Sequence, residues 1–120
     1  MSGLEDHYEN PRNLGELDDA DAVALVHNPV CGDMLRLAVK WDGERITEAR
    51  FKAFGCAAAI AAASVVTELL QGTSVHEAAS INDRDIVAVL GTLPPMKVHA
   101  LVLAREGVQK VVQQLLTDPE

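Results

Sequence analysis

Asp33-Met34-Leu35-Arg36-Leu37-Ala38-Val39-Lys40-Trp41 is the most regular stretch of this 120-residue chain. Leu35, Leu37, Val39 and Trp41 recur at every second position and oppose Arg36 and Lys40, the period of a strand with one buried face. Asp42-Gly43 follows as a hairpin turn signal. Beyond it, over about 45–54, Ala49, Phe51 and Ala53 alternate with Arg50 and Lys52. Upstream, residues 22–28 read as a further strand, stopped at Asn28-Pro29. Three consecutive strands joined by short turns predict an antiparallel sheet with one solvated face.

After Cys56 the period changes to that of a helix. Between Ala57 and Gln71 the main polar residues are Ser64, Thr67, Glu68 and Gln71, spaced as one narrow exposed stripe on an otherwise buried helix. Gly72 is a natural C-terminal stop. Ser74-Val75-His76-Glu77 has the capping-box pattern of a short helix, and Asn82 or Asp83 caps another that carries Ile86, Val87, Val89 and Leu90 up to Gly91. A long last helix is predicted from about Pro95 to Leu116, with Val98, Leu101, Val102, Val108, Val112 and Leu115 inward and the prolines tolerated in its first turn. Near the start, residues 3–9 fit a short helix or a mobile segment. Asn10 to Gly15 reads as a turn-rich connection, and Leu17 to Asp21 as an acidic loop. Strands first and helices after give an α+β class: a three-stranded antiparallel sheet covered by helices. The chain reads as a single domain over 1–120, with 1–20 a candidate mobile start.

Aromatic residues are 3% of the chain, so its core must be built from Val, Leu, Ile and Ala. A formal charge of −8 opposes nucleic-acid binding, which needs clustered Lys and Arg. No segment is apolar for long enough to span a bilayer. Met1-Ser2-Gly3-Leu4-Glu5-Asp6 lacks the cationic and apolar regions of a signal peptide. Cytoplasm is therefore the expected compartment, where a disulfide is not expected. No Gly-x-Ser-x-Gly elbow supports a hydrolase.

The chemistry-bearing candidates are few. Cys31 opens Cys31-Gly32-Asp33 at the start of the alternating strand, and Cys56 closes Phe54-Gly55-Cys56 before the alanine-rich helix. His99 ends Leu93-Pro94-Pro95-Met96-Lys97-Val98-His99. Two thiols, a carboxylate and an imidazole are ligands of the kind that soft or borderline metals take. Asp33 is in phase with Leu35 and Leu37, so it points to the helix-covered face, where a carboxylate is costly without a metal, a cation or water. Cys56 enters a helix whose N-terminal amides favour a thiolate. Each residue also has a plain structural reading: Cys31 as a packed loop-end thiol, Cys56 as a helix-core residue, Asp33 as a turn former. His7, His27 and His76 read as surface residues.

Taken together, these motifs resemble the scaffold proteins of iron–sulfur cluster assembly, the IscU-type and NifU N-terminal family. The resemblance runs through Tyr8-Glu9-Asn10-Pro11-Arg12-Asn13, Cys31-Gly32-Asp33, Ala49-Arg50-Phe51-Lys52 with Phe54-Gly55-Cys56, Val66-Thr67-Glu68 and Leu93 to His99. It implies a non-enzymatic scaffold or carrier with a small antiparallel sheet under helices. Sulfur would come from a cysteine desulfurase, and a 2Fe–2S cluster or iron would be held by Cys31, Asp33, Cys56 and His99, with zinc there in the cluster-free form. By the same resemblance, Lys97 is a rim lysine. Leu93, Pro94, Pro95, Met96 and Lys97 form the motif read by a DnaK-type chaperone working with a co-chaperone. Tyr8 matches a residue of dimer contacts during sulfur reduction, ferredoxin and a frataxin-like protein are further partners, and the state is a monomer or small homo-oligomer.

The chain departs from that family pattern at Ala100, where a third cysteine normally receives sulfur and ligates the cluster or zinc. A methyl group does neither. Met96 replaces the usual Val, and the serine run after the second cysteine is reduced to Ala61-Ala62-Ala63-Ser64. Three accounts stand at this point. The first is a metal-binding scaffold using two thiolates, Asp33 and His99, with assembly impaired. The second is a zinc-dependent sulfur acceptor in which Cys31 or Cys56 takes the sulfur. The third is a cluster-deficient interaction or regulatory relative.

Overall fold

The computed structural model describes residues 3–28, 32–91, 93 and 98–117. The order of elements is α1 (Gly3–Glu9), β1 (Ala22–His27), β2 (Met34–Trp41), β3 (Ile46–Phe54), α2 (Ala57–Leu70), α3 (Val75–Ala79), α4 (Asp83–Leu90) and α5 (His99–Thr117). The strands form one antiparallel sheet in the order β1-β2-β3. The class is α+β, as the alternation predicts.

One sheet face is the core. Leu35, Leu37 and Val39 of β2 lie between Ala22, Ala24 and Val26 of β1 and Ala49 and Phe51 of β3, all buried. Full burial of one such large side chain, Phe51 for example, contributes roughly 1.5–3 kcal/mol. Small side chains on α2 (Ala58, Ala59, Ala61, Ala62 and Ala63, all buried) let that helix lie close to the sheet. Gly107 does the same for α5, since a Cβ there would stand 2.9 Å from Leu35 Cδ2. The other sheet face carries charged pairs, Arg50 with Glu48 at 3.1 Å and Lys52 with Glu16 at 2.9 Å, beside the exposed apolar Leu25, Met34 and Phe54.

Both sheet edges are covered, which removes templates for unwanted strand pairing. Asn13 and Gly15 line β3, with Phe51 N–H donating to Asn13 O (3.0 Å) and Gly15 N–H to Phe51 O (2.8 Å). The free edge of β1 meets α5, where Gln114 accepts from Val23 N–H through Oε1 (2.9 Å) and donates from Nε2 to Val23 O (2.6 Å).

Capping boxes start α3 at Ser74 with Glu77 and α4 at Asn82 with Asp85, so Asn82 rather than Asp83 is the cap. The β2–β3 connection is closed at Asp42, whose N–H donates to Arg45 O (3.1 Å). Asp42 Oδ1 accepts from Glu44 N–H (2.9 Å) and Arg45 N–H (2.7 Å), and a register shift follows at Lys40/Trp41.

Four expectations are corrected. Ser64 and Thr67, expected on an exposed stripe, are fully buried, because α1 and residues 10–13 pack over that side of α2. Ser64 Oγ accepts from Arg12 N–H (2.8 Å) and meets His7 Nδ1 at 2.8 Å, and Thr67 Oγ1 accepts from Asn13 Nδ2 at 3.2 Å and donates to Ser64 O at 2.7 Å. His7, expected on the surface, is therefore buried, with Glu68 Oε1 3.6 Å from Nε2. Burial, then the nearby Arg12 charge, pushes the His7 imidazole below its ordinary pKa, against the opposing pull of Glu68 and Asp6. Finally, α5 begins at His99, and Val98 and Val102 are exposed; its inward stripe is Ala100, Leu101, Leu103, Ala104, Val108, Val111, Val112 and Leu115. Leu101, Val108, Val112 and Leu115 hold their expected inward positions, and the face is completed by Ala100 and Ala104, small residues that a stripe of larger apolar residues overlooks. His27 and His76 are exposed as expected.

Candidate metal centre

At one end of the sheet three elements supply one chemical group each. Asp33 precedes β2, Cys56 is the N-cap of α2, and His99 is the first residue of α5. Cys56 has extended backbone (φ −74°, ψ 168°) and makes no side-chain capping bond, so its thiol is not consumed by the helix end. Its carbonyl accepts from Ala59 N–H (3.0 Å) and Ile60 N–H (3.2 Å), which fixes the entry to the helix. Gly32, with φ of +75°, and the bonds Gly32 N–H to Asn28 O (2.7 Å) and Asn28 N–H to Asp33 O (2.8 Å) brace the β1–β2 connection beneath Asp33.

One ligand atom from each of Asp33, Cys56 and His99 lies within 4.8 Å of the others. A tetrahedral ion bonded at about 2.0–2.3 Å separates its ligands by roughly 3.3–3.8 Å, so modest side-chain rotation closes the triangle. Asp33 is 3% exposed, and its Oδ2 stands 3.0 Å from His99 Nε2. That contact answers the cost of burying a carboxylate. Sulfur, oxygen and nitrogen donors in one site suit zinc or iron better than calcium or magnesium. His99, a quarter exposed, also lines a cavity of about 290 Å³ with His27, Asn28 and Glu106, so an ion can reach the imidazole without opening the core.

Of the sequence candidates, Asp33, Cys56 and His99 are brought together. Cys31 lies outside the described residues, as do Pro94, Pro95, Met96 and Lys97. Leu93 is buried in the core, Tyr8 is exposed on α1, and Ala100 is fully buried among core residues. One residue that sequence reasoning passed over belongs to the site. A Cβ at Gly55, whose φ is +148°, would lie 2.7 Å from Asp33 Cγ and closer still to Oδ1. A glycine ending a strand is a known sign of such close approach.

The family model for the NifU-like N-terminal domain matches residues 3–119. The chain is 42% identical over 107 residues to an iron–sulfur cluster assembly scaffold protein, IscU 1, of Archaeoglobus fulgidus, covering 89% of this chain and 70% of that protein. It is 44% identical over 111 residues to the iron–sulfur cluster assembly scaffold protein IscU of Escherichia coli K12, covering 89% and 86%. A solved nitrogen-fixing NifU-like protein (N-terminal) from Brucella abortus superposes with a TM-score of 0.77 at 21% identity, over 97% of this chain and 93% of that one.

Proposed function

The chain belongs to the NifU-like N-terminal domain family, and from that membership we propose that it is a non-enzymatic scaffold for iron–sulfur cluster assembly. The observation that carries the reading is the meeting of Asp33, Cys56 and His99 at one end of the sheet. The cluster is cargo here: it is built on these side chains and passed on. Cys56 supplies a sulfur donor, Asp33 and His99 hard and intermediate donors, and Cys31, two residues before Asp33, is proposed as the second thiolate. A site with two sulfur donors holds a 2Fe–2S cluster or iron less firmly than one with three. Zinc is proposed for the cluster-free form. Binding weakens as pH falls, because the ligating imidazole must be neutral and the thiols deprotonated.

Sulfur is proposed to arrive from a cysteine desulfurase, in the cytoplasm. With Ala100 buried and without a thiol, Cys31 and Cys56 are the only sulfur acceptors in the chain. Exposed Leu25, Met34 and Phe54 form an apolar patch beside the site and support partner docking there. A DnaK-type chaperone with its co-chaperone is proposed to read Leu93 to Lys97. Ferredoxin and a frataxin-like protein complete the partner set, with Tyr8 proposed at a contact between copies. Among the described residues no helix is long and apolar enough to cross a membrane. The sulfur-acceptor and interaction-only accounts are not favoured, since the relatives above are named as scaffolds.

The test is anaerobic reconstitution with ferrous iron, cysteine, a desulfurase and excess dithiothreitol to reduce the persulfide sulfur, followed by visible absorption and metal analysis. The expected result is a charge-transfer band that Cys56→Ala or His99→Ala abolishes. A featureless spectrum together with no bound iron or zinc overturns the proposal.

A further inference from the structure

The register Leu35↔Ala53 and Met34↔Phe54, carried one step further, sets Asp33 opposite Gly55. Directly opposed residues on one sheet face normally hold their Cβ atoms about 4.5–5.5 Å apart, each side chain standing over its own strand. Here the pair is asymmetric. The Asp33 carboxylate leans across and fills the space where a side chain at position 55 would begin: Cγ lies 2.7 Å and Cβ 3.1 Å from the ideal Cβ site. Its other oxygen, Oδ2, is left to meet His99 Nε2 at 3.0 Å. Gly55 itself is exposed while Asp33 is buried, so the glycine backbone closes over the carboxylate without adding a side chain to the site.

We propose that Gly55 is a positioning residue of the metal centre: the absence of its Cβ is what lets Asp33 adopt the rotamer that joins His99 and Cys56. The inference rests on the metal-centre reading above and assigns a role that the ligands alone do not explain. Any L-residue at 55 competes first with the carboxylate, the movable party; the Asp33 Cβ, 3.1 Å away, is a milder contact that Asp33→Ala retains. Gly55 touches no metal; it acts through Asp33.

Zinc affinity of the apo protein, read by competition with a chromophoric chelator, tests this in four proteins: the parent, Gly55→Ala, Asp33→Ala and the double variant. Gly55→Ala is expected to weaken zinc binding roughly 10- to 100-fold, the range for residues that orient ligands. It is expected to change affinity less than about twofold when made in the Asp33→Ala background. An affinity equal to the parent's overturns the proposal, and so does an equal loss in both backgrounds, which would report backbone strain at φ +148°. A second variant separates strain from collision. Ligation at the Gly55–Cys56 junction introduces D-alanine, which tolerates positive φ and places its methyl at the other hydrogen position of the Gly55 Cα, not the one that meets Asp33. Zinc affinity within about twofold of the parent is expected; a loss as large as that of L-alanine overturns the inference, and this comparison decides the matter if Gly55→Ala does not fold. If the parent binds neither zinc nor iron, the metal-centre reading fails; in either case the metal-free urea midpoints still judge Gly55. They are expected to fall more for Gly55→Ala with Asp33 present than in the Asp33→Ala background, and equal falls overturn the positioning role.

Discussion

His99 Nε2 lies 3.0 Å from Asp33 Oδ2, a contact between residues 66 positions apart in which the carboxylate is almost fully buried. Each group satisfies the other: the imidazole gives the buried carboxylate a partner, and the carboxylate holds the ring at the mouth of the site. Breaking one side leaves the other without its partner.

His99→Ala is expected to destabilise the metal-free protein by about 1–3 kcal/mol, the cost of an unsatisfied buried polar group. The double variant Asp33→Ala with His99→Ala should cost less than the sum of the singles, with a coupling of about 0.5–3 kcal/mol. Urea unfolding of the four proteins measures it, and additive costs would show that the pair is not coupled.

His7 predicts an acid-side loss of stability. Burial holds its folded-state pKa below the ordinary value of 6.5, with Arg12 adding to the effect and Glu68 and Asp6 opposing it. The unfolded chain therefore binds the proton first. The stabilising contribution is fully present above about pH 6.5 and is lost as pH falls toward the depressed folded value, with a slope of at most about 1.4 kcal/mol per pH unit. His7→Gln, which keeps a side-chain amide near Ser64, should flatten that slope in urea unfolding followed from pH 8 to 5. An unchanged slope would assign the acid sensitivity elsewhere.

Ser64 ties the N-terminal segment to α2. Removing its hydroxyl strands Arg12 N–H and His7 Nδ1, both 2.8 Å away. Ser64→Ala is expected to cost about 1–3 kcal/mol and to raise hydrogen exchange across residues 3–15 more than in β2. Uniform exchange throughout the chain would mean that α1 is not separately held.

Gln114 substitutes for a neighbouring strand along β1. Gln114→Ala frees Val23 N–H and O, which it engages at 2.9 and 2.6 Å. It should promote self-association through that edge, seen as a concentration-dependent rise in mass by light scattering. A monodisperse variant at all concentrations would show that Lys110, whose Nζ donates to Leu25 O at 3.3 Å, is sufficient protection.

Much of this molecule was readable along the chain. Alternation from Leu35 to Trp41 and from Ala49 to Ala53, the capping residues Ser74 and Asn82, and the glycines Gly72 and Gly91 each depend on neighbours within a few positions. Local sterics and local hydrogen bonds therefore determine the strands, most helix boundaries and the α+β order without reference to the rest of the fold. The identity of Asp33, Cys56 and His99 as ligand types was legible for the same reason, since donor chemistry belongs to the residue itself.

The tertiary structure alone decided what those groups face. The Asp42–Arg45 turn and the register shift at Lys40/Trp41 set which residues lie opposite one another, and hence that Asp33 leans over Gly55. Polar spacing on α2 pointed to solvent, but α1 covers Ser64 and Thr67 and converts an exposed stripe into a buried hydrogen-bonded seam. Hydroxyls and imidazoles pair as readily with each other as with water, so their sequence pattern does not distinguish burial from exposure. The meeting of Asp33 with His99 depends on how α5 docks on the sheet, a packing outcome summed over many small apolar contacts that no short stretch of sequence contains.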